Sequence, residues 1–345
     1  MIFRQFFHAE SCTYTYLLAG RTGGEALLID PVLDCVARYL QLIEELDLKL
    51  VKAVDTHVHA DHITGLGELR NRTRCITVMG RESPADVVSM RVRDGETIDI
   101  EGVNLDVIHT PGHTACSYSY RLPDRVFTGD TLFIRGTGRT DFETGSSRDS
   151  YDSIFNKLLK LSDETLVYPG HDYKGDTVST IGEERAFNPR LQVKSAEEYC
   201  DIMDNLNLPD PKMMDVAVPA NMVIGMAQSA TGDESWSMTV AEANRRMAEP
   251  DFVLVDLRES GERERYGVIP GSIHAPYKQL DQLIAPGGAL CEMAASTARR
   301  LVYYCAYGER SALAVQASLE AGLTGVCHLV GGMDAWTAGG GPIDG

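Results

Sequence analysis

Two stretches of this chain carry residue types and spacings that do chemistry. The first is "THVHADH", residues 56–62, which holds His57, His59, Asp61 and His62. Three of the nine histidines in the protein sit there. Imidazole and carboxylate are ligands for zinc and for iron alike. Further residues of the same kind stand at His113, Asp130 and His171. The second stretch is "CAYGERS", with Cys305 at its head and Arg310 near its end. A cysteine followed by a glycine-bearing turn, an arginine and a helix pattern suits a reactive thiolate in an anion-binding loop.

Both stretches need elements that turn them into sites. His57, His59 and Asp61 lie two apart, so no helical face holds them together, and they converge only if the chain turns sharply. Over the first 180 residues, "ALLID", "LVKAVDT", "CITVMG", "LDVIHT", "RVFTGD" and "TLVYPG" read as buried strands. The cluster follows the second of these, His113 the fourth, Asp130 ends the fifth, and His171 follows the sixth. Open α/β sheets place their sites just past strand ends in this way. His109, inside a strand, and His8, His274 and His328 read instead as structural histidines. Helical periodicity appears over 33–46 and 148–161, and Ser195 with Glu198 predicts a capping box. The small, polar and acidic stretch 227–236 reads as a linker. After it the strand and helix pattern restarts, with a second capping box at Thr239 and Glu242. "FVLVDL" and "RLVYYC" read as strands there, and 309–322 as a helix ended by Gly322. Cys305 then closes a strand and Arg310 opens a helix.

The length of 345 residues predicts two domains. A net charge of −18 argues against nucleic acid and anionic membranes as partners. The first twenty residues carry no signal-peptide core, and no apolar run is long enough for a membrane helix. The eight cysteines are dispersed without a C-x-x-C, which predicts reduced thiols and a cytoplasmic protein.

The metal-type residues resemble the metallo-β-lactamase superfamily, which implies an αββα sandwich. In its hydrolases, such as glyoxalase II, the resemblance assigns His57, His59 and His113 to one zinc and Asp61, His62 and His171 to a second, bridged by Asp130. The remainder of residues 1–225 is similar to another branch. "SCTYTYLLAG", "TGDTLFIRGTGRTDF", "YPGHDYKGDTVSTIGEERAFNPRL" and "NLNLPDPKMMDVAVPANM" resemble the persulfide dioxygenases of the ethylmalonic-encephalopathy type. That resemblance implies a single Fe(II) held by His57, His113 and Asp130, with His59, Asp61, His62 and His171 one layer back. Two imidazoles and one carboxylate leave positions open for a persulfide and O2, whereas zinc has no redox chemistry. The implied substrate is glutathione persulfide, oxidised to sulfite with release of glutathione. Arg139 and Tyr173 align with the glutathione contacts of glyoxalase II, and Lys174 is a third candidate. The Arg139 guanidinium suits a glutathione carboxylate.

Residues 237–345 resemble a rhodanese domain, through "LVDLRESGERERYGVIPGSIHAP", C-x-x-G-x-R-S and "LVGGMDAW". The resemblance implies a parallel α/β domain in which Cys305 carries sulfane sulfur, with Arg310 and loop N–H groups as its anion cradle. Cys305 to Arg310 spans six residues, which suits sulfur transfer; related phosphatase loops are longer. Val268 replaces a frequent histidine, Glu309 sets an acid beside the cradle, and Asp256 with Arg258 reads as a structural pair. The combined expectation is an α/β protein with an N-terminal αββα sandwich over 1–226 and a parallel α/β rhodanese domain over 237–345. It would couple persulfide oxidation to thiosulfate:glutathione sulfur transfer, in either direction, with oligomeric state left open. A di-zinc glutathione thioester hydrolase with an appended sulfur carrier is the rival. A non-catalytic sensing or docking role for the rhodanese half is a second.

Overall fold

The computed structural model describes residues 1–225, 236–297 and 299–344. Nine of the ten residues of the expected linker, 227–235, lie outside these. The chain divides into two compact units: Met1–Asp86 with Arg91–Ile224, and Val87–Met90 with Gly225–Gly345.

The first unit contains two six-stranded sheets. One has the order β1 (Ile2–His8), β2 (Thr13–Ala19), β3 (Glu25–Ile29), β4 (Lys49–Val54), β5 (Ile76–Gly80), β6 (Met90–Val92). The other contains β7 (Thr97–Ile100), β8 (Val103–His109), β9 (Tyr118–Leu122), β10 (Arg125–Gly129), β13 (Leu166–Pro169) and β14 (Ser179–Thr180), with β14 and β7 at its edges. Between them in sequence, β11 (Leu132–Phe133) and β12 (Gly136–Thr137) form a small hairpin. The six strands expected from apolar runs are all present.

Aromatic rings hold the two sheets face to face. Tyr16 of β2 meets Phe127 of β10 at 4.9 Å and Tyr168 of β13 at 5.6 Å between ring centroids. Every residue of β2 is buried, because its other face lies under the helix Val36–Glu45. Tyr39 of that helix reaches Thr15 with its hydroxyl at 2.9 Å. Across the second sheet the helices pack Ile154, Leu158, Ile181, Tyr199 and Met203 against Val126 and Val167. This is the αββα sandwich expected.

Two local expectations are corrected. The pattern over 148–161 is not one regular helix. It runs as an α-helix over Ser147–Tyr151, a π-helix over Asp152–Lys157 and a 3₁₀ turn over Leu158–Lys160. Within the widened turn Ser153 and Lys157 both reach the loop ahead of His113, donating to the carbonyls of Pro111 and His109 at 2.7 and 2.6 Å. Hydrophobic period alone does not register such a widening. At Ser195 only half of the capping box forms. Its hydroxyl accepts from the Glu198 amide, but the Glu198 carboxylate takes the Lys194 amide at 2.7 Å. At Thr239 and Glu242 both halves are made.

The second unit has a five-stranded sheet of order β15 (Ser237–Met238), β19 (Val326–Leu329), β18 (Arg300–Tyr304), β16 (Phe252–Asp256), β17 (Ile273–His274). All four pairings are parallel. Parallel strands buried on both faces read as unbroken apolar runs, which is why "FVLVDL" and "RLVYYC" were legible. The fully buried Trp336 anchors the core formed with Leu254, Val302, Tyr304 and Leu329. All eight cysteines are free. Among the described residues, no helix is long and apolar enough to cross a membrane.

Candidate metal centre and sulfur loop

The chain leaves β4 at Val54 and enters the histidine cluster through a turn that one side chain secures. The Asn221 amide donates to the carbonyls of His59 and His62 at 2.9 and 2.8 Å, and its oxygen accepts from the Thr64 amide at 2.9 Å. The sharp turn required by the spacing is therefore fastened from 157–162 residues away. His113 arrives after β8, Asp130 directly after β10 and His171 after β13, so all seven residues meet at one end of the sandwich.

Six of them fall into two groups of three. Ligand atoms of His57, His113 and Asp130 lie within 4.8 Å of one another, and so do those of His59, Asp61 and His62. His171 lies beside both, its Nε2 3.4 Å from Asp130 Oδ1 and 3.6 Å from Asp61 Oδ2. A third trio, Asp30, Asp55 and His59, is also mutually close.

Hydrogen bonds set the tautomers of the first group. The Thr56 hydroxyl donates to Asp30 Oδ2 at 3.0 Å, so at 2.9 Å it accepts from His57 Nδ1. The His57 lone pair is then on Nε2. His113 Nδ1 similarly donates to the Arg139 carbonyl at 2.8 Å, and its Nε2 faces Asp130 Oδ2 at 3.6 Å. A metal-binding histidine is normally oriented by such a bond from its other nitrogen. Asp130 Oδ1, His59 Nδ1 and His62 Nε2 are buried without a hydrogen-bond partner. Buried polar atoms are rarely left so, and this donor set fits a metal ion. Gly170 makes room for it: a Cβ there would come 2.5 Å from Asp130 Oδ1.

Burial pushes the pKa values of His57 and His59 well below the usual histidine range, helped by neighbouring imidazoles. Both rings are therefore neutral and available as ligands. For His171 burial acts the same way, but the carboxylates of Asp130 and Asp61 outweigh it and raise its pKa. Burial alone would raise Asp61, yet His171 and the bond from His62 hold it well below the carboxylate range.

The expected glutathione contacts are placed unequally. Arg139 is spent within the protein: it makes a two-pronged bond to Asp141 at 2.6 and 2.8 Å and donates to Pro209 O at 2.7 Å and Leu208 O at 3.2 Å. Its guanidinium also lies over the Phe142 ring. This geometry makes Arg139 a brace for the loop that orients His113. Tyr173 is 69% exposed, with its ring parallel to that of His171 at 6.0 Å, and offers a surface beside the metal-type cluster. Lys174 is exposed as well. The loop holding both is shaped by Asp172, whose Oδ1 accepts the amides of Lys174, Gly175 and Asp176 at 2.8, 2.5 and 2.8 Å.

In the second unit, Cys305 follows β18 and is fully buried. The Gly308 amide points at its sulfur at 3.1 Å. The loop carbonyls are held away: Cys305 O accepts from the Met333 amide at 2.8 Å and Ala306 O from the Asp334 amide at 3.0 Å. Gly332 allows this approach, since a Cβ there would collide with the Cys305 carbonyl, and its φ is +59°. Arg310 is fully buried as well. Its two Nη atoms pair with Glu262 at 2.7 and 2.6 Å, and only Nε lacks a hydrogen-bond partner. Arg258 and Asp256 form the structural pair expected, at 2.9 and 2.7 Å. Among the histidines read as structural, His328 is fully buried while His274 is exposed. Sequence reasoning missed Asn221, Thr56, Asp30 and Glu262. None carries a local signal, because each acts on partners distant in sequence or on a ring whose tautomer only the fold fixes.

Residues 13–171 match the Metallo-beta-lactamase superfamily and residues 239–339 the Rhodanese-like domain. The chain is 49% identical over 229 residues to the persulfide dioxygenase ETHE1, mitochondrial, of Mus musculus, covering 66% of this chain and 89% of that protein. The Homo sapiens protein of the same description is 48% identical over the same length and coverage. The crystal structure of ETHE1 from Myxococcus xanthus is 54% identical with a TM-score of 0.64, covering 66% of this chain and all of that one. A metallo-beta-lactamase structure from Staphylococcus aureus, 20% identical with a TM-score of 0.60, shares the fold over 96% of this chain and 98% of its own. The chain thus belongs to the persulfide dioxygenase family of the metallo-β-lactamase superfamily and carries a rhodanese-like domain in its second unit.

Proposed function

We propose that residues 1–226 oxidise glutathione persulfide with O2 to sulfite and glutathione, using one iron. Residues 237–345, joined through 227–236, would exchange sulfane sulfur between thiosulfate and glutathione. The observation that carries the first half is the convergence of His57, His113 and Asp130, two imidazoles and one carboxylate, within 4.8 Å. An iron bound there supplies the open coordination positions and redox chemistry that O2 activation needs. The protein's own residues then do the rest. Thr56 and the Arg139 carbonyl hold the two rings with Nε2 inward. Tyr173 lines the approach with an exposed ring. His171 Nε2 stands 3.4 Å from Asp130 Oδ1 and 3.6 Å from Asp61 Oδ2, where it could donate a hydrogen bond to an oxygen at the site. In the second unit the Cys305 thiolate attacks the outer sulfur of thiosulfate. The Sγ–S bond forms, the S–S bond of thiosulfate breaks, and sulfite leaves. Attack by glutathione thiolate on the Cys305 persulfide then regenerates Cys305. The Gly308 amide at 3.1 Å stabilises the anionic sulfur.

The test is metal content together with O2 uptake. One iron per chain and O2 consumption with glutathione persulfide are expected, and absence of uptake by iron-loaded protein sinks the dioxygenase reading. Cys305→Ser should abolish thiosulfate:glutathione sulfur transfer and spare O2 uptake; survival of both activities removes the carrier role. The di-zinc hydrolase reading has one observation in its favour, the unpartnered buried nitrogens of His59 and His62. Two zincs per chain with thioester hydrolysis would establish it.

A further inference from the structure

The last residue of the sulfur-loop motif, Ser311, reaches back to the cysteine that opens it. Ser311 stands in the first turn of the helix Glu309–Glu320, whose N-cap is Gly308. Its hydroxyl donates to the Gly308 carbonyl at 2.9 Å, and its oxygen lies 3.8 Å from Cys305 Sγ. Beside it stands His328. That residue lies on β19, between β18 and β15, opposite Tyr303 and Ser237. Its Nδ1 is 3.5 Å from Ser311 Oγ and its Nε2 is 3.4 Å from Ser237 Oγ. Cys305, Ser311 and His328 are all fully buried.

One hydroxyl hydrogen decides how this group is wired. While Cys305 is a thiol, its S–H points at Ser311 Oγ and the hydroxyl hydrogen goes to Gly308 O. A serine oxygen has two lone pairs, so it accepts from the thiol and from His328 Nδ1 together. His328 therefore carries its proton on Nδ1 and accepts the Ser237 hydroxyl at Nε2. Once Cys305 is a thiolate, its sulfur only accepts. The Gly308 amide already points at it at 3.1 Å. The Ser311 hydroxyl becomes a second donor by turning about its Cβ–Oγ bond. The turn leaves no partner unsatisfied. Gly308 O keeps the Ala312 amide at 3.1 Å, and Ser311 Oγ keeps the His328 N–H. Arg310 brings the positive charge of the loop, but both its Nη atoms are paired with Glu262.

We propose that Ser311, held by His328, is the hydroxyl that stabilises anionic sulfur on Cys305. It serves the attacking thiolate, and again the thiolate released when the Cys305 persulfide gives up its outer sulfur. The proposal rests on the sulfur-carrier reading of Cys305. Ser311 touches the reacting sulfur, and His328 is a positioning residue that acts through it. No covalent bond of either residue changes during the cycle.

The test is the rate at which iodoacetamide captures Cys305 in the full-length protein at fixed pH, read by peptide mass spectrometry. Sulfur transfer from thiosulfate to glutathione is measured beside it. Ser311→Ala slows both about tenfold, the scale of one hydrogen bond to a charged group. Ser311→Thr keeps the hydroxyl and recovers both. His328→Leu slows both by a smaller factor, and His328→Asn, which keeps an N–H near the place of Nδ1, recovers them. Fluorescence of Trp236 and Trp336 checks that the second unit of each variant is folded. Parental rates in folded Ser311→Ala overturn the proposal, and so does a Ser311→Thr protein as slow as Ser311→Ala. A second readout needs no variant. By ¹⁵N NMR, neutral His328 should be protonated on Nδ1; a proton on Nε2 overturns its role in holding Ser311. Parent protein that moves no sulfur from thiosulfate refutes the carrier reading, and iodoacetamide capture with the NMR result then decides the part of the hydroxyl by itself.

Discussion

Thr56→Val is the sharpest perturbation of the metal centre. It keeps the shape of the side chain and deletes one oxygen. That oxygen makes two buried bonds, to Asp30 Oδ2 at 3.0 Å and His57 Nδ1 at 2.9 Å. Asp30 keeps the Thr56 amide at 2.7 Å and His59 Nε2 at 3.2 Å, so it stays partly satisfied. The His57 Nδ1–H loses the hydroxyl that accepts its bond, at a cost of about 1–3 kcal/mol. The ring is then free to turn or to place its proton on Nε2, and either change competes with metal. Loss of such an orienting group lowers metal affinity ~10–100-fold, which is about 1.4–2.7 kcal/mol. Metal retained per chain across a chelator titration reads this directly. Thr56→Ser restores the hydroxyl and should restore affinity to near the parental value. If Thr56→Val holds metal as tightly as the parent, the Asp30–Thr56–His57 relay does not orient the ligand.

Asn221→Ala removes the three bonds that fasten the turn over 59–64. We expect a loss above about 3 kcal/mol in chemical denaturation and partial loss of metal; a parental midpoint would show that the turn holds itself. Glu262→Ala strips a buried cation of its partner, so it should cost about 3–5 kcal/mol. Both tryptophans, Trp236 and Trp336, lie in the second unit, so their fluorescence reports its unfolding separately. The same signal carries a pH prediction. Burial would raise Glu262 and Asp256, but Arg310 and Arg258 outweigh it and lower both from 4.5 and 3.8. Depressed carboxylates add stability above their unfolded values that is lost as pH falls through the folded ones. The midpoint of the second unit should therefore hold steady down to about pH 4.5 and fall below it. A decline beginning near neutrality would point to groups other than these pairs.

The sequence by itself determined a great deal. Buried strands are written as apolar runs, and residues with ligand chemistry stand at their ends, so the strand ends, His57, His113, Asp130 and Cys305 were legible from local pattern. So was the capping box at Thr239, because its two partners lie three residues apart. The tertiary structure decided what local pattern cannot encode. "THVHADH" offers four ligand-type residues, and their spacing alone gives no reason to group them; the fold gathers His57 with His113 and Asp130, and His59 with Asp61 and His62. Arg310 looks free in the sequence because its acceptor, Glu262, stands 48 residues away, and the Leu208 and Pro209 carbonyls that complete the Arg139 brace stand about 70 residues away. The His57 tautomer rests on Asp30, and the turn through the histidines rests on Asn221. Directional bonds between residues far apart in the chain leave no periodicity, so they become readable only once the sheets have brought the partners together.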